Sequence, residues 1–531
     1  MEQRSAQPGA PAVLTREIEP DRIPAARPAV SAELAGFGIL DAILDATPAA
    51  PSQASSALKE FLEETSPTNA IVLWVNCAGG VRGKPTRERV ARLLNRDIAR
   101  LDALLTRQVN AVIHHPSFQK LEASWRGLRY LVNQVEEGSN VKVRILNASW
   151  KELTRDQERA LEFDQSQCFQ KIYEEEFGIA GGEPFGVLLG DYEIHSRPGP
   201  DHPYDDVGTL RSLSGVAAAA FAPFITGTHP SLLDMGNFME LERPMNLTRT
   251  FEQADYLKWR TFRDTEDARF VGLTLPHVLM RLPYGDDSSH VEEFRFREEV
   301  EEPNPNRYLW GNAIYAFGAV VVRSFGESGW LANIRGVERD TVGSGLVTGL
   351  PAHSFGTDRE GVAVKGSTDA AITDMQEKEL ADLGFIPLCH CPDTDLSAFY
   401  SNQSVQRPKA YDEAPASANA RLSAMLQYIL CVSRFAHYLK VIARDKIANL
   451  AGPKECEDFL QRWLLKYVSE GDGLDWGSKA KFPLREGQVR VRAHPDKPGS
   501  YLCVMHLRPH FQLDQVATTM RLATELAPSR T

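Results

Sequence analysis

Long helices are the clearest elements that the pattern of hydrophobic and polar positions predicts. Between residues 86 and 115, apolar side chains recur at steps of three or four, which places them on one face of a helix. The same spacing from 417 to 450 predicts a second long helix with one buried side. The two stripes consist of Val90, Leu93, Leu94, Ile98, Leu101, Leu104, Leu105 and Val109, and of Leu422, Met425, Leu426, Ile429, Val432, Ala436, Leu439 and Ala443.

A shorter helix is predicted at 115–132, in the stretch HPSFQKLEASWRGLRYLV. Pro116 suits the first turn, because its missing N–H would have no partner there. Glu122 and Arg126 are four residues apart and can pair along the helix, with Arg129 one turn further on. Because Trp and Arg are enriched in interface hot spots, we expect these three charged residues to contact a neighbouring domain or subunit. The apolar stripe is expected to pack in the core and consists of Phe118, Leu121, Trp125, Leu128 and Val132.

Shorter apolar runs lie between the helical stretches. NAIVLWVNCAGG at 69–80, VKVRIL at 141–146 and PFGVLLGDYEI at 184–194 have the length and composition of strands. The stretches at 158–177 and 209–227 have helical patterns, and the second is rich in small residues. This alternation of strands and helices favours a mixed α/β fold.

The C-terminal part of the chain predicts a β-hairpin. QVRVRA at 488–493 alternates strictly, HPDKPGS has the composition of a turn, and YLCVMHL at 501–507 is the returning strand. A terminal hairpin can leave an open edge, which invites pairing with another chain. The alternation gives the first strand two faces, with Val489 and Val491 on one and Arg490 and Arg492 on the other.

The N-terminal part has a different character. Residues 1–35 are rich in Pro, Ala, Arg and Glu and are expected to be mostly disordered. FGILDAILDATP at 37–48 predicts a short amphipathic helix, and a second small helix is predicted at 57–65 after a linker. A helix between two flexible stretches is typical of a docking peptide, and the alternative is an ordinary helix packed on the body. Its candidate binding residues are Ile39, Leu40, Asp41, Ile43 and Leu44.

Composition restricts the possible functions. The chain has 531 residues and a formal net charge of −12, which argues against non-specific binding to nucleic acid. No apolar run approaches the eighteen residues of a membrane span, and no signal core follows Met1. The seven cysteines are scattered and odd in number, which favours the reducing cytoplasm over a disulfide framework.

Motifs for catalysis or cofactor binding are incomplete. CHC at 389–391 has two thiols and an imidazole but no second ligand pair at a suitable spacing for zinc. GSGLVTG at 343–349 has neither a Walker lysine nor a full dinucleotide pattern. Asp191 and Glu193 follow a buried strand and form a plausible acid/base pair, but no nucleophile is identifiable beside them. The histidines match no catalytic template, so we predict no enzyme, no cofactor and no metal site.

Several long motifs resemble, in the same order, the large subunit of the bacterial type VI secretion contractile sheath, the TssC or VipB family. They include HHPSFQKLEASWRGLRYLV, PFGVLLGDYEI, FITGTHPSLLDMGNF, FRDTEDARFVGLTLPHVLMRLPYG, YLWGNAIYAFGAVVVRSF and GWLANIRGVERDTVGSGLVTGLPAHSF. The resemblance runs from about residue 105 to 531. It is far more specific than any of the short motifs above.

The resemblance implies a mechanical role without catalysis. Family members assemble with a small sheath subunit, TssB or VipA, and with further copies of themselves into a helical tube around the Hcp inner tube. The tube stands on a baseplate, and its contraction propels the inner tube. Neighbouring subunits exchange strands, so the resemblance implies that the C-terminal hairpin, with its residues 489–492, contributes to an inter-subunit sheet. The AAA+ unfoldase ClpV grips an N-terminal helix of family members, which resembles ILDAILDA at 39–46.

These inferences divide the chain into five regions. We expect a disordered tail at 1–35, docking helices and a linker at 36–65, and a strand with the start of the long helix at 66–104. The N-terminal part of the sheath body then occupies 105–390, and a C-terminal sheath domain occupies 391–531.

Two alternatives stay open at this point. The segment from about 66 to 100 departs from typical members, so the chain is alternatively a paralogous scaffold that binds the small subunit without polymerising. The less favoured alternative is an α/β enzyme that uses Asp191 and Glu193 on a phosphate-bearing ligand. Under the sheath interpretation, Arg126→Glu is expected to leave a folded, soluble chain that assembles poorly.

Overall fold

A computed structural model describes residues 59–77, 86–179, 181–243, 245–285, 294, 296–300, 307–337, 342–353, 366–391, 394–446, 452–469, 471, 476–493, 495, 501–510 and 520–526. The chain divides into two compact units, Met1–Ile98 and Ala99–Thr531. The predicted disordered tail and the predicted docking helix at 37–48 lie outside the described residues.

The first unit is helical where it is described. Residues 59–63 form a helical turn within the second predicted small helix, and α1 spans Pro67–Cys77. The strand predicted at 69–80 is therefore wrong. Its apolar run is short and continuous, and periodicity alone does not separate such a run from a helix. The long helix α2, Arg87–Ile113, begins in this unit and has the predicted bounds to within two residues.

The second unit carries the remaining helices and all the described strands. The helices of six or more residues are α3 (Pro116–Asn133), α4 (Trp150–Arg159), α5 (Asp206–Ala220), α6 (Leu247–Glu252), α7 (Leu257–Arg263), α8 (Ile314–Ser328), α9 (Asp374–Asp382), α10 (Ala414–Ser423), α11 (Leu426–Lys446), α12 (Pro453–Leu464) and α13 (Trp476–Lys481). Short 3₁₀ turns occur at Phe163–Gln165, Pro230–Leu233, Phe238–Glu242, Ala254–Tyr256, Asp267–Phe270 and Leu465–Tyr467. No helix among the described residues combines the length and the apolar character needed to cross a membrane.

A six-stranded sheet organises this unit, in the order β1-β2-β3-β7-β8-β6. The first four strands of this order run parallel, and β8 pairs antiparallel with both β7 and β6. The mixed α/β class is thus confirmed. The strands are β1 (Leu188–Ile194), β2 (Phe224–Thr228), β3 (Val271–Leu275), β6 (Leu346–Val347), β7 (Ile386–His390) and β8 (Ser397–Phe399), and β4 (Val278–Leu279) pairs with β5 (Trp310–Gly311) in a separate ribbon.

Helices cover both faces of the sheet. Every residue of β2 and β3 is buried, as expected for parallel strands with helices on each side. Phe224 and Leu273 pack with α5 in one hydrophobic cluster. Ile225, which follows Phe224 and points the other way, packs with α3 and α8 in a second cluster. The alternation along one strand therefore supplies two separate cores.

A three-stranded antiparallel sheet lies near the C-terminus, in the order β11-β10-β9. β9 (Leu484–Ala493) and β10 (Tyr501–Pro509) form the predicted hairpin, with Val491 opposite Cys503. The third strand, β11 (Met520–Leu526), was not predicted. A separate hydrophobic cluster joins this sheet to α11 and α12.

Three predicted helices are interrupted. The helix predicted at 209–227 ends as α5 at Ala220, and the chain then enters strand β2 at Phe224. The stretch 158–177 is a broken helix, with helical turns at Gln167–Phe169 and Glu175–Phe177 around a π-helical turn. The Asp156 carboxylate accepts the N–H groups of Gln167 and Cys168, which starts a new helical turn after α4 has ended.

The long helix predicted at 417–450 is likewise two helices. α10 ends at Ser423 and α11 begins at Leu426, because the intervening backbone bonds outside the helix. The Leu426 N–H donates to the Asn402 carbonyl, and the Ala424 carbonyl accepts from Ser404. The segment 141–146, predicted as a strand, is irregular and has no ladder of strand hydrogen bonds. Lys142 and Arg144 of this segment form ion pairs with Glu183.

Candidate functional site

Helix α3 contains the most distinctive stretch of the sequence. His115 caps it by accepting the Ser117 N–H at 3.3 Å, and Pro116 occupies its first turn as predicted. Its buried residues are Ala123, Gly127 and Leu131, which lie against α8. Gly127 is needed there, since an added Cβ would lie 2.3 Å from the Tyr315 ring. The small residues therefore form the packed face.

The predicted core stripe of α3 is wrong in its burial, although its members do share one face. Trp125 is 64% exposed and Leu121 is 56% exposed, and Phe118 and Val132 are exposed as well. Leu128 alone of the five is partly buried against the core. The spacing identified a real apolar face, but nothing in the described part of the chain covers it.

Helix α2 shows the same behaviour. Leu101, Leu104, Leu105 and Val112 are all exposed, and Leu101 is 58% exposed. Their steps of three, four and seven residues place them on one side of the helix. Exposed apolar side chains in such a regular row are typical of a surface that another protein covers.

Glu122 and Arg126, predicted to contact a neighbour, have partners within this chain. Arg126 donates from Nε to Glu122 Oε1 at 2.7 Å and from Nη2 to the Tyr284 hydroxyl at 3.0 Å. Arg281 donates from Nε to the same Glu122 oxygen at 2.9 Å. Arg129, by contrast, is exposed to solvent. The pair thus fixes α3 to the segment around Arg281, and its role towards other subunits stays a prediction.

A buried carboxylate completes this ion network. Glu298 accepts from Arg281, from the Tyr284 N–H at 2.9 Å and from His114 Nε2 at 3.0 Å. Burial opposes the charge of Arg281, but Glu298 and Glu122 outweigh it and raise the pKa of the guanidinium. The Arg281 side chain also lies over the Tyr284 ring, 4.3 Å from its centroid. The network therefore joins the end of α2, α3 and residues 281–298 through two arginines and two glutamates, and it leaves Glu122 Oε2 buried without a hydrogen-bond partner.

The two carboxylates of β1 do not share a site. Asp191 Oδ2 accepts from the Ser124 hydroxyl at 2.5 Å and from the Tyr315 hydroxyl at 2.9 Å. Glu193 bonds to His277 instead, at 3.1 Å. Asp191 therefore connects α3 and α8 to the sheet edge, while Glu193 belongs to a separate ion pair.

Glu193, His277 and Asp369 form an ion network in which each group favours the charged form of its partner. His277 lies between Glu193 and Asp369, whose oxygens are 3.1 Å and 2.8 Å from its ring nitrogens. Burial works against both charges, but His277 lowers the pKa of Glu193 to about 2, and the two carboxylates raise the pKa of His277 to about 10. A glutamate with so low a pKa is a poor general acid or base at pH 7. The geometry is that of a structural ion pair.

The remaining candidate motifs have structural surroundings. In the glycine-rich stretch at 343–349, Arg323 donates to the carbonyls of Ser344 and Leu346, so these backbone groups hold α8. Cys389 is buried, and burial raises the pKa of its thiol to about 12. Cys391 lies 3.6 Å from the Tyr400 hydroxyl.

The hairpin residues divide as the alternation predicted. Val489 and Val491 are buried against α12 and the sheet core, while Arg490 and Arg492 are exposed. The backbone of β9 is bonded as well, because Val489 N–H donates to Gln461 Oε1 at 2.8 Å and Val491 N–H donates to a carboxylate of α12. Of these four residues, the valines therefore serve the core and the arginines face solvent.

The sequence missed a group of histidines. His195, His202 and His229 stack together beside the buried carboxylate of Asp206. They come from the ends of two strands and from a loop, so no spacing along the chain marked them.

Comparison with known proteins identifies the family. Residues 95–406 match the family described as EvpB/VC_A0108, tail sheath N-terminal domain, and residues 415–526 match the EvpB/VC_A0108 tail sheath gpW/gp25-like domain. The chain belongs to this family of type VI secretion sheath large subunits. It is 44% identical to the type VI secretion system sheath protein TssC1 of Pseudomonas aeruginosa over 437 residues. The aligned region covers 82% of this chain and 86% of TssC1. The resemblance inferred from the motifs is confirmed.

Membership is consistent with the structural contacts of the candidate residues. The family consists of structural sheath proteins, and the carboxylates of β1 are engaged in structural contacts. The boundary between the two family domains, at 406–415, falls at the start of α10. The exposed faces of α2 and α3 lie within the first domain.

Proposed function

We propose that this chain is a large subunit that polymerises into a functional contractile sheath in the cytoplasm. It assembles with a small sheath subunit of the TssB or VipA type and with further copies of itself into a helical tube. The tube surrounds an Hcp inner tube, stands on a baseplate, and propels the inner tube by contracting. The match to TssC1 over most of both chains supports this function.

The observation that carries the proposal is that α2 and α3 each have an exposed apolar face. These two faces consist of Leu101, Leu104, Leu105 and Val112 on α2, and of Leu121 and Trp125 on α3. A soluble monomer rarely exposes so many large apolar side chains in regular rows. Burying an exposed side chain of this kind fully is worth about 1.5–3 kcal/mol. Each of these six is already about half buried, so covering the rest is worth roughly half as much per side chain and still favours association. We assign these two faces to the small sheath subunit.

Truncation of the α3 face tests the proposal. Leu121→Ala with Trp125→Ala is expected to leave the melting temperature of the chain nearly unchanged, because both side chains are mostly exposed. Co-expressed with the small subunit, the variant is expected to give few tubes in negative-stain micrographs. The matched control is Leu161→Ala with Leu257→Ala, which truncates two other exposed side chains, one of them 91% exposed.

The possible outcomes separate the candidate functions. Tubes at wild-type yield from the α3 variant contradict the assignment of the α3 face. Soluble complexes of wild-type chain and small subunit that never form tubes favour the paralogous scaffold. A chain that neither binds the small subunit nor forms tubes contradicts the sheath function itself.

Strand exchange is proposed at β11. In the C-terminal sheet the β9 edge is bonded to side chains of α12, which leaves β11 as the other edge strand. Successive residues of a strand direct their N–H groups to opposite sides. We therefore expect one of Ala523→Pro and Thr524→Pro to abolish tubes without lowering the melting temperature, and the other to weaken the pairing with β10. Tubes from both variants contradict this edge as the acceptor.

Three exposed arginines are proposed to contact neighbouring subunits: Arg129 on α3 and Arg490 and Arg492 on β9. Reversing the β9 pair to glutamate changes surface charge without removing a buried contact, so the chain is expected to fold and to assemble poorly. Arg155→Glu with Arg159→Glu on α4 is the control with the same change of charge. Equal loss of tubes in both variants contradicts a specific contact. Arg126→Glu is less informative, since Arg126 also holds Glu122 and Tyr284.

The unfoldase contact is proposed for residues 37–48, whose apolar positions are Ile39, Leu40, Ile43 and Leu44 with Asp41 beside them. Deleting the segment is expected to preserve tube formation and to abolish binding of ClpV to contracted sheaths. Unchanged co-sedimentation of the unfoldase with the deleted sheath contradicts this assignment. Replacing the linker 49–56 by a Gly/Ser sequence of equal length is the matched control.

A further inference from the structure

Three imidazoles meet at the carboxyl-terminal edge of the parallel strands. His195 directly follows β1, His229 directly follows β2, and His202 comes from the loop between β1 and α5. Their rings stack, with 4.0 Å between the centroids of His202 and His195 and 3.9 Å between those of His195 and His229. This edge of an open parallel sheet is where α/β proteins usually bind ligands.

The buried carboxylate of Asp206 is the centre of the group. Its Oδ2 accepts the His195 N–H at 2.8 Å and lies 3.2 Å from His195 Nδ1. Its Oδ1 lies 2.7 Å from His202 Nε2 and accepts the Trp150 indole N–H at 2.6 Å. Asp206 is held at the start of α5, and its side chain is almost completely buried.

We propose that His195, His202 and Asp206 form a binding site for a divalent transition-metal ion, with Zn²⁺ as the preferred ion. Two imidazoles and one carboxylate form a common ligand set of zinc sites that keep a further position open. The three ligand atoms lie within 4.8 Å of one another, and within the described residues this is the group of His, Cys, Asp and Glu that meets this criterion.

The distances suit such an ion. Ligand atoms about 2.0–2.1 Å from a tetrahedral zinc ion stand about 3.3 Å apart. His195 Nδ1 already lies 3.2 Å from Asp206 Oδ2, whereas His202 Nε2 lies 2.7 Å from Asp206 Oδ1 and must move outward. The two rings are stacked, and an imidazole binds a metal in its ring plane, so the ion is admitted when His202 rotates out of the stack. His202 belongs to a loop and its side chain is about one-fifth exposed, which leaves room for this rotation.

Proton balance is simple at this site. In the structure the ring nitrogens that face Asp206 carry hydrogen, because a carboxylate only accepts hydrogen bonds. When the ion binds, each imidazole stays neutral. Its single proton moves from the nitrogen that faces Asp206 to the other ring nitrogen. That nitrogen is Nε2 in His195 and Nδ1 in His202.

Neighbouring groups act as an outer shell. The Trp150 N–H and the His195 backbone N–H hold the carboxylate in place, and metal sites commonly fix their ligands in this way. His229 covers one face of the His195 ring.

Cobalt titration of the full chain, purified and stripped of metal, tests the proposal. We expect visible absorption bands that saturate at one Co²⁺ per chain, that lack thiolate charge transfer, and that Zn²⁺ abolishes. His202→Gln is expected to weaken binding by more than about tenfold, and Trp150→Phe by about tenfold through its outer-shell contact. His202 lies in a loop and is partly exposed, so its substitution is expected to preserve the fold.

Two controls keep the result specific. His506→Gln changes a histidine on β10, and Cys391→Ser removes a partly exposed thiol, and both variants are expected to bind cobalt like the wild-type chain. Absence of binding by the wild-type chain overturns the proposal. Binding that persists in His202→Gln, or that Cys391→Ser abolishes, also overturns it. Tube formation is not part of the readout, so these results are independent of the proposed sheath function.

Discussion

Glu298 gives a direct test of how the ion network under α3 stabilises this sheath subunit. Its side chain is 1% exposed and accepts hydrogen bonds from Arg281, from the Tyr284 N–H and from His114. Glu298→Gln keeps the shape of the side chain and removes its charge. The variant leaves the buried guanidinium of Arg281 with Glu122 as its remaining anionic partner.

The expected loss follows from this geometry. Removing one partner of a buried ion pair costs about 3–5 kcal/mol, because the other charge is left without compensation. Arg281 keeps its 2.9 Å bond to Glu122, so we expect the lower end of the range, about 3 kcal/mol. In Arg281→Met with Glu298→Met both charges leave. The remaining costs are the unpaired Tyr284 N–H, about 1–3 kcal/mol, and the loss of the Glu298 partner of His114, whose side chain is partly exposed. The double variant is therefore expected to be no less stable than the single one.

Urea unfolding followed by tryptophan fluorescence measures the effect as a change in midpoint at constant slope. The matched control is Glu486→Gln, which neutralises a largely exposed carboxylate that pairs with Arg508 at 2.7 Å. Such surface pairs are worth about 0–1 kcal/mol. The reasoning is refuted if Glu298→Gln and the control have the same midpoint, or if the double variant is clearly less stable than Glu298→Gln.

Three further predictions concern packing, pH and the sheet edge. Gly127→Ala is expected to lower the free energy of unfolding by about 1–2 kcal/mol, because its Cβ would lie 2.3 Å from Tyr315, whereas Gly326→Ala on α8 meets only ordinary contacts and is expected to be neutral or stabilising; equal melting temperatures contradict this. Burial lowers the pKa of His437 to about 4 in the folded chain, so as the pH falls this imidazole is protonated in the unfolded chain before it is protonated in the folded one. The free energy of unfolding therefore decreases as the pH drops below about 6.5. His437→Gln is expected to remove about 2 kcal/mol of the loss between pH 7 and 5, and an unchanged pH profile of melting contradicts it. Gln461→Ala leaves a β9 N–H without its partner and is expected to cost about 1–3 kcal/mol in urea unfolding, against no change for a substitution of exposed Arg462.

The sequence predicted those helices whose ends depend on residues close to them in the chain. The bounds of α2 and α3 follow from periodicity, from Pro116 and from the His115 cap, all of which act within a few residues. The hairpin register at 488–507 follows from strict alternation around a turn. Predictions were wrong where contacts with residues far away in the sequence determine the local structure. The break before Leu426 depends on hydrogen bonds to residues 402–404, which no pattern near 425 reveals.

The same distinction applies to the candidate functional residues: the sequence identified the motifs and the apolar faces, but not what covers these faces. The motifs identified the family, because long ordered matches carry far more information than spacing. Periodicity also showed that Leu121 and Trp125 share a face with Phe118, but it did not show what covers that face. A stripe facing a core and a stripe facing another subunit have the same spacing, since both must exclude water.

The sequence by itself determined the class of fold, the main helices, the terminal hairpin and the family. Only the tertiary structure decided which apolar stripes are buried, which charges are paired within the chain, and which histidines meet. His195 and His229 are 34 residues apart in sequence and come together because β1 and β2 are parallel neighbours in one sheet. Helix periodicity is a property of a few consecutive residues, whereas a site at the end of parallel strands exists only after the crossover helix α5 has packed.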